Sequence, residues 1–462
     1  MASTPPPPVP QADQDPPGIY RVGTLTYTFG GLVVLFGFLM LGDFAWAIRE
    51  RAVADIFQVL LRKFAVSDLL FSLLTTALPA IMTIMVVPFV GVISDNYRSR
   101  LGRRIPFLIV TTPIIAVSIA CLAVAPKIGT WLAPAFGGGE EGARLGAIAT
   151  LAIFWTIFEA GALIANAIFS SLINDVVPAK VIGRFYGMFR IFSLLAGILF
   201  NMFLFKFAND WYATMFLAIA LIYGVGFGIM CWRVREGTYP ALPPRPVPAP
   251  TLATHIGTYA RTSLGVPFFA LLIGVYAIAH VASVPINAVA LKSAQAFGLD
   301  DAGYGNARAI TYAISLMLAF PLGWVSDILH PIRTAFLATL FYGVSMCVGW
   351  FMMHDAQTFQ VFFIIHGVLS GAFFTTILGL LPRLLPRERF TQIFAAALVA
   401  QMIITAIVSA GVGKALDSIL YHDYRMTFLI SGIIALLSCG VWIVLYRRFN
   451  ALGGLTRYTA PA

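Results

Sequence analysis

Candidate functional residues are concentrated in one apolar stretch near the N-terminus, which reads GDFAWAIRERAVAD from Gly42 to Asp55. A helix turns about 100° per residue, so it places Asp43, Trp46 and Glu50 on one face, with the two acids roughly 10 Å apart. Carboxylates accept hydrogen bonds from hydroxyl groups, and an indole ring covers the apolar face of a ring-shaped ligand. The pattern predicts a binding site for a polyhydroxylated molecule, and Arg51 belongs to the same site.

Two further apolar stretches carry polar residues at helical spacing. Glu159 and Asn166 share one face of the first stretch, and Arg190 and Asn201 share one face of the second. Arg190 is placed to form an ion pair with Glu159 across a helix bundle. The pair is interpreted either as part of a binding site or as a structural ion pair between closely packed helices.

A third group lies in the second half of the chain. His280 occupies roughly the place there that Asp43 holds in the first half, with Tyr276 and Asn287 on either side. The group is interpreted either as a ligand for substrate or proton, or as a histidine that only fills the helix packing. His366 is a weaker candidate of the same kind.

The composition places all of these residues in a membrane protein. Of 462 residues, 59% are hydrophobic and 11% are charged, and the mean hydropathy is +0.87. Soluble domains carry about 25% charged residues. This excludes a soluble enzyme, a secreted disulfide scaffold and a nucleic-acid binder, despite 30 Lys+Arg against 20 Asp+Glu.

Ionisable residues inside a membrane span are costly, at about 2.5–3.5 kcal/mol each on insertion scales, and are therefore candidates for function. Asp43 is the first candidate for carrying a proton and Glu159 is the second. One alternative concerns the end of the first span. If that span ends near Ile48, residues 49–55 form an outer amphipathic loop, and of this group only Asp43 remains in a cavity.

Other classes of chemistry are not indicated. The four cysteines are far apart and show no metal or redox spacing. The chain shows no nucleotide-binding loop, metal cluster or nucleophile arrangement, so we expect no enzymatic activity, no cofactor and no metal. The first nineteen residues are Pro-rich and acidic, which does not fit a cleavable signal peptide.

The hydropathy pattern predicts twelve membrane-spanning helices, because each crossing needs about 20 apolar residues. The first starts near Leu25, and the others lie near 68–94, 107–126, 145–173, 182–205, 211–232, 264–290, 304–326, 333–353, 358–382, 391–413 and 426–446. We therefore expect an all-α membrane protein with two six-helix, pseudo-symmetric bundles, 25–235 and 264–448.

The remaining segments are expected to lie in the cytoplasm. A disordered tail covers 1–24, a Pro-rich linker covers 236–263, and a second tail covers 449–462. Basic residues are more frequent on the side of both termini, which the positive-inside rule assigns to the cytoplasm. The protein is expected in the cytoplasmic (inner) membrane, surrounded by lipid and as a monomer.

The two halves share a sequence repeat. PFVGVISD, ending at Asp95 in the second span, recurs as PLGWVSD, ending at Asp327 in the eighth. Duplicated six-helix units are typical of secondary transporters, whose substrate site lies between the halves. The repeat therefore favours a transporter.

The loop after the second span reads GVISDNYRSRLGRRIP, from Gly91 to Pro106. A small residue permits close helix packing, an acid ends the span, a glycine allows the turn, and arginines supply the counter-charges. This predicts a latch, with the alternative that the basic loop only sets the topology. The predicted gating residues are Gly91, Asp95, Gly102, Arg103, Arg104 and Asp175, with Gly323, Asp327 and Arg333 as a weaker copy.

This loop resembles the signature of the major facilitator superfamily, and its spacing is similar to that of the glycoside–pentoside–hexuronide and sucrose:proton symporter branch. The GDFA segment at Asp43 is similar to the first span of melibiose-type porters, whose acid helps to bind the coupling cation. Those porters carry two more acids in the second span, where this chain has Thr83 and Val87. The resemblance therefore implies coupling to a proton.

Together these features predict a secondary active transporter that carries a sugar or glycoside with a proton by alternating access. Two alternatives remain. A proton-antiport exporter of small amphipathic compounds would have a more apolar cavity, and a non-transporting sensor or assembly factor on the same scaffold would not need buried charges. We expect small-molecule and proton partners and no nucleic acid.

Overall fold

A computed structural model describes residues 18–95, 97–239, 265–386 and 390–461. Within these ranges the side chains of Asp95, Arg190 and Asp327 are not described. The predicted N-terminal tail up to residue 17 and most of the predicted linker lie outside the described residues. The outcome for those segments therefore stays a prediction.

The first half begins with an antiparallel hairpin of β1 (Ile19–Val22) and β2 (Leu25–Thr28). Its long helices follow in six segments, the second of which is interrupted by a π-helical turn at Leu73–Ala77. The helices are α1 (Phe29–Lys63), α2 (Asp68–Ser72) with α3 (Leu78–Asp95), α4 (Ile105–Leu132), α5 (Gly139–Val176), α6 (Ala179–Leu199) and α7 (Ala208–Arg233).

The second half repeats this arrangement. Its first segment is broken into three short helices, and a short helix α16 (Gly454–Arg457) ends the described chain. The helices are α8 (Pro267–Val281), α9 (Val284–Asn287) and α10 (Ala290–Ala296), then α11 (Asp301–Leu329), α12 (Pro331–Met352), α13 (Ala356–Leu384), α14 (Phe390–Ser418) and α15 (Arg425–Ala451).

The packing has the same pattern in both halves. In each half the first long segment packs against the fifth and sixth, the third against the fourth and sixth, and the second against the fourth. Between the halves, α2 and α3 contact α14, and α6 contacts α11. These are reciprocal contacts, because each joins the second segment of one half to the fifth of the other. The prediction of an all-α protein with two pseudo-symmetric bundles is confirmed.

Ten stretches of the described residues are long and apolar enough to cross a membrane. One stretch, Ile191–Arg233, joins the end of the fifth segment to the sixth, and the eighth segment is not among the ten. The sequence predicted twelve crossings, and the described chain has twelve helical segments at those positions. The repeated motifs ending at Asp95 and Asp327 close the second segment of each half, as the duplication requires.

The first tail differs from expectation where it is described. Residues 18–24 were predicted as part of a disordered tail, but Ile19–Val22 pairs with Leu25–Thr28. Thr28 then caps α1, because its hydroxyl accepts a hydrogen bond from the amide of Gly31 at 3.2 Å. At the other end, the Tyr458 hydroxyl donates to the carbonyl of Leu384 at 2.8 Å.

Helix α1 decides between the two interpretations of residues 49–55. It is continuous over 35 residues, so these residues are helical and do not form a loop. At about 1.5 Å per residue, the helix is roughly 50 Å long. It connects two opposite faces of the molecule, which we call the latch face, with residues 97–104, and the clamp face, with Asp68.

Trp155 joins three elements inside the first half. Its ring stacks on Phe57 of α1 with centroids 3.9 Å apart and planes 2° from parallel. Its indole N–H donates to the carbonyl of Leu74 at 2.8 Å. Leu74 lies in the π-helical turn, and Trp155 is 1% exposed. The indole thus fixes the broken second segment to α1 and α5.

Replacing Trp155 tests this joint. We expect Trp155→Phe to keep the ring stack and lose one hydrogen bond, at about 1 kcal/mol. Trp155→Ala also creates a cavity and costs about 3–5 kcal/mol. In detergent, the melting temperature should be highest for wild type, lower for Trp155→Phe and lowest for Trp155→Ala. The control Trp131→Ala, at a site 79% exposed, should have the melting temperature of wild type. Equal melting temperatures for Trp155→Ala and wild type would contradict the assignment.

Candidate functional site

A pocket of about 160 Å³ with charged and polar side chains in its wall lies between α1 and α5. Four of the predicted site residues line it, namely Trp46, Glu50, Glu159 and Asn166. Glu50 and Asn166 are exposed and Glu159 is half-buried. The rest of its lining consists of Arg49, Ala54, Phe158, Ala162 and Leu163. The two helices therefore bring together residues that are more than 100 positions apart in the sequence.

Arg49 is a pocket residue that the sequence analysis did not select. It is 4% exposed, and its guanidinium carbon lies 3.9 Å from the centroid of the Trp46 ring. The rings of Phe158 and Tyr223 lie farther away, at 5.6 Å and 5.7 Å. The signal was its position three residues after Trp46, which a helix places on the same face.

Asp43 is not placed as expected. It is fully buried, it does not line the pocket, and neither carboxyl oxygen has a hydrogen-bond partner among the described residues. Its neighbour Gly42 lies against Met230 of α7. The helix packing of α1 thus encloses this turn, and Asp43 does not line the pocket together with Glu50.

Trp46 also has a different role from the one predicted. It is 4% exposed and packs against the rings of Phe169, Tyr223 and Phe227. Arg49 covers one side of the indole, and only a small part of Trp46 reaches the pocket wall. The Trp46 ring supports the Arg49 cation instead.

Arg51 and Asn201 point to the junction between the halves. Arg51 donates to the Ser193 hydroxyl at 3.3 Å, and its guanidinium lies 5.2 Å from the ring centroid of Tyr312 in the second half. Asn201 is buried and donates to the carbonyl of Gly197 at 2.9 Å. Neither residue lines the pocket. The side chain of Arg190 is not described, so its predicted pairing with Glu159 stays a prediction.

The predicted residues of the second half fall into two groups, one around the buried His280 and one around the buried His366, which contacts the exposed Asn287. The Nδ1 atom of His280 lies 2.8 Å from the carbonyl of Tyr276, and the two rings are 4.1 Å apart. The imidazole of His366 joins Asn287, at 3.1 Å, to the Tyr342 hydroxyl, at 2.9 Å. None of these residues lines the pocket between α1 and α5. They pack the second bundle instead.

A separate small cavity lies within the second bundle, close to these two groups. Residues from α8, α12 and α13 form its wall, together with Ser283 just beyond α8. The lining consists of Ala279, Ser283, Thr339, Tyr342, Ser370, Phe373 and Phe374.

The clamp face is held by charges that cross between the halves. The carboxylate of Asp68 is fully buried and accepts from Lys292 at 2.6 Å, from His422 at 2.7 Å and from Tyr424 at 3.0 Å. Lys292 also donates to the carbonyl of Val66 at 2.6 Å. We call Asp68 with Lys292, His422 and Tyr424 the clamp.

Further ionic contacts surround the clamp. The carboxylate of Asp417 accepts the amides of Asp68 and Leu69 at 2.8 and 2.7 Å, at the start of α2. Arg62 binds Asp301 through two hydrogen bonds of 2.5 and 2.6 Å. Two more residues, Asp55 and Arg308, pair between α1 and α11. The sequence analysis did not predict this face, since its residues are separated by more than 200 positions.

The latch face contains the predicted arginine cluster. Arg103 binds Asp175 with two hydrogen bonds of 3.1 and 2.7 Å, and Arg104 reaches the same carboxylate at 3.2 Å. Arg104 also donates to the Ser94 hydroxyl. Gly102 has φ +104°, a backbone conformation that favours glycine, so it permits the turn before the arginines. The structure brings these predicted residues together.

Glu236 completes the latch, although the sequence analysis placed it in a solvated linker. Its carboxylate accepts the amides of Arg103, Arg104 and Ile105 at 2.9, 2.7 and 2.7 Å, at the start of α4. The Tyr239 hydroxyl donates to Glu236 at 2.9 Å. Burial and the neighbouring Glu236 carboxylate raise the pKa of Tyr239, which keeps its hydroxyl protonated.

The second copy of the motif has a different arrangement. Arg333 donates to the Tyr446 hydroxyl through two nitrogens, at 3.0 and 2.8 Å. Gly323 lies in α11, four residues before Asp327. The Asp327 side chain is not described, so its predicted pairing with Arg333 stays a prediction.

Comparisons with known proteins agree with the fold described above. The model of the Major Facilitator Superfamily matches residues 269–453. A bacterial homologue of the human lysosomal transporter Spinster, in an inward-facing and occupied conformation, is similar with a TM-score of 0.66 and 12% identity over 93% of this chain and 98% of the other. The xylose transporter XylE from E. coli is similar with a TM-score of 0.61 and 17% identity over 89% of this chain and 96% of the other.

The nucleoside transporter NupG is similar as well, with a TM-score of 0.63 and 10% identity over 89% of this chain and 99% of the other. No curated protein matches the sequence. The chain has the major facilitator fold. In terms of this fold, the clamp joins the two six-helix halves at one face, while the latch ties together the first half at the opposite face.

Neutralising the clamp acid should open its face. Asp68→Asn leaves Lys292 largely buried without its partner, and breaking such a pair costs about 3–5 kcal/mol. Spin labels on cysteines replacing Lys63 and Tyr421, both exposed, should report longer distances by double electron–electron resonance, after the native cysteines have been replaced by serine.

The matched control is Asp423→Asn in the neighbouring loop. Asp423 binds Arg425, two residues away, at 3.0 Å, and this hydrogen bond lowers the pKa of Asp423. This exposed local pair should not affect the distance between the halves. An unchanged distance distribution in Asp68→Asn would show that the clamp does not hold this face closed.

Removing the latch carboxylate should loosen the start of α4. Glu236→Ala leaves three amides without their acceptor, and the loss of a capping group costs about 0.5–2 kcal/mol. Hydrogen–deuterium exchange of residues 103–108 should therefore be faster by about 3- to 30-fold. Glu140→Ala, which removes an exposed acid from another helix start, serves as the control. Wild-type exchange in Glu236→Ala would mean that the carboxylate does not cap α4.

Proposed function

We propose that the protein is a secondary active transporter that carries a sugar or glycoside together with a proton by alternating access. The observation that supports this most is a polar, charged pocket in the first half, combined with a clamp of buried charges that joins the halves at one face. A pocket with Glu50, Glu159 and Asn166 provides hydrogen-bond partners for hydroxyl groups.

The arrangement of contacts supports alternating access. Each half has the same internal packing, and the halves meet through α3 with α14 and α6 with α11. Such reciprocal contacts allow one half to rock against the other around a fixed site. In this state the clamp closes its face, so we propose that the pocket opens toward the latch face. We propose further that the latch face is cytoplasmic, in agreement with its basic residues.

Two acids are proposed to bind and release the transported proton. A carboxylate that is ionised, buried and unpaired costs several kcal/mol, so Asp43 is neutral in this enclosed position. A movement of α1 against α7 that admits water would let Asp43 release its proton. Glu159 lines the pocket and is the second candidate. The membrane potential then contributes about 2.3 kcal/mol per 100 mV for each inward proton.

The polar pocket distinguishes this proposal from the two alternatives. An exporter of amphipathic compounds needs a mainly apolar cavity, whereas three of the nine lining residues here carry formal charges, namely Arg49, Glu50 and Glu159. A non-transporting sensor does not need charges in a pocket, because they are costly to keep there. The xylose–proton symporter among the similar structures is compatible with the proposed chemistry.

Transport in proteoliposomes tests the proposal. A panel of radiolabelled sugars and glycosides should accumulate only when a proton gradient, acidic outside, is imposed. Asp43→Asn should abolish accumulation but keep exchange between labelled and unlabelled substrate, because only the coupling is lost. Asp423→Asn is the control. Accumulation in Asp43→Asn equal to that of wild type would refute Asp43 as the carrier, and no uptake of any sugar would refute the substrate class.

A further inference from the structure

Arg49 is a buried cation that forms no salt bridge among the described residues, and Glu159 on the pocket wall is the acid that interacts with its charge. It is 4% exposed, its Nε has no hydrogen-bond partner, and no carboxylate of the described residues forms an ion pair with it. Two arginines close to the junction of the halves do have such partners, since Arg62 binds Asp301 and Arg308 binds Asp55. A buried charge is costly unless it is paired. Arg49 therefore has no carboxylate at salt-bridge distance to offset the cost of its burial.

The contacts of Arg49 leave its hydrogen-bonding groups available. The guanidinium carbon lies 3.9 Å from the centroid of the Trp46 ring, and the rings of Phe158 and Tyr223 are also close to it. A ring below the guanidinium plane stabilises the cation but does not use the N–H groups, which point outward in the plane. The Nε atom is enclosed, so the terminal N–H groups are the ones that Arg49, as a lining residue of the pocket, can offer to a bound molecule.

We infer that the transported solute carries an anionic group, and that this group binds Arg49. The inference rests on the proposed function and specifies its substrate class. The planar guanidinium fork matches the oxygens of a carboxylate or a phosphate. Asn166 lies on the same pocket wall as Glu159, seven residues or two turns along α5, and is available to hydroxyl groups of the same solute. The expected ligand is therefore a hydroxylated organic anion.

The two acids of the pocket link anion binding to the proton. With Glu50 and Glu159 both ionised, the pocket has a net negative charge and repels an anion. Glu50 is exposed, so solvent screens its charge, whereas Glu159 is half-buried. A proton on Glu159 removes the repulsion next to Arg49. The anion and the proton then bind together, and each favours the binding of the other.

Four ligands on one glucose scaffold test the inference. Equilibrium binding to the purified full-length protein in detergent compares glucose, glucuronate, glucose 6-phosphate and glucosamine. We expect at least one of the two anions to bind at least tenfold more tightly than glucose, and glucosamine to bind no better than glucose. Tighter glucuronate identifies a carboxylate and tighter glucose 6-phosphate identifies a phosphate.

Variants assign the preference to the pocket. Arg49→Gln should abolish the preference for the anion, so that glucose and both anions bind with similar affinity, and Arg49→Lys should retain part of the preference. Glu159→Gln should tighten anion binding several-fold at neutral pH, because it mimics the protonated acid. Arg144→Gln, an arginine on the surface that binds Glu141, should match wild type. Thermal unfolding verifies that each variant is folded, and Arg49→Lys preserves the test if Arg49→Gln unfolds.

Each contrary result has a distinct meaning. Equal binding of glucose and both anions, or an anion preference that survives Arg49→Gln, would overturn the inference and leave the proposed sugar transport standing. Tighter binding of glucosamine than of the anions would also overturn it. Binding of none of the four ligands would count against both the sugar class and the anionic solute.

Discussion

A buried carboxylate must be paired, and this requirement organises the molecule. Asp68 has no contact with solvent, and its partners Lys292, His422 and Tyr424 come from the opposite half of the chain. Separating the halves at this face leaves these groups to find other partners or water. The closed state of the clamp face is thus stabilised by charge pairing across the interface, in addition to apolar contact between helices.

At the opposite face, carboxylates are likewise paired, but with groups of the same half. Asp175 holds two arginines, while Glu236 accepts three amides at the start of α4. The latch therefore makes the first half rigid at that face and fixes the first residues after α7 to it. The halves meet through the ionic clamp and through the contacts of α2 and α3 with α14 and of α6 with α11.

Much of the fold was predictable, because twelve apolar segments and the repeat ending at Asp95 and Asp327 are local properties of the sequence. The arginine turn at Gly102 was predictable for the same reason. Helical spacing identified Glu159 and Asn166, but it does not show which side of α1 faces another helix, so Asp43 was expected in a cavity and is enclosed by helix packing instead. Arg49, Asp68 and Glu236 were missed because their importance depends on partners that are distant in sequence.

The central claim is that the clamp face must open and close during each transport cycle. Cysteines replacing Arg62 and Asp301, which pair across the halves, can be joined by a short, reducible bifunctional thiol reagent in an otherwise cysteine-free chain. The account predicts that cross-linking stops solute uptake, that reduction restores it, and that neither single-cysteine variant responds to the reagent. Continued uptake by the fully cross-linked protein would contradict it.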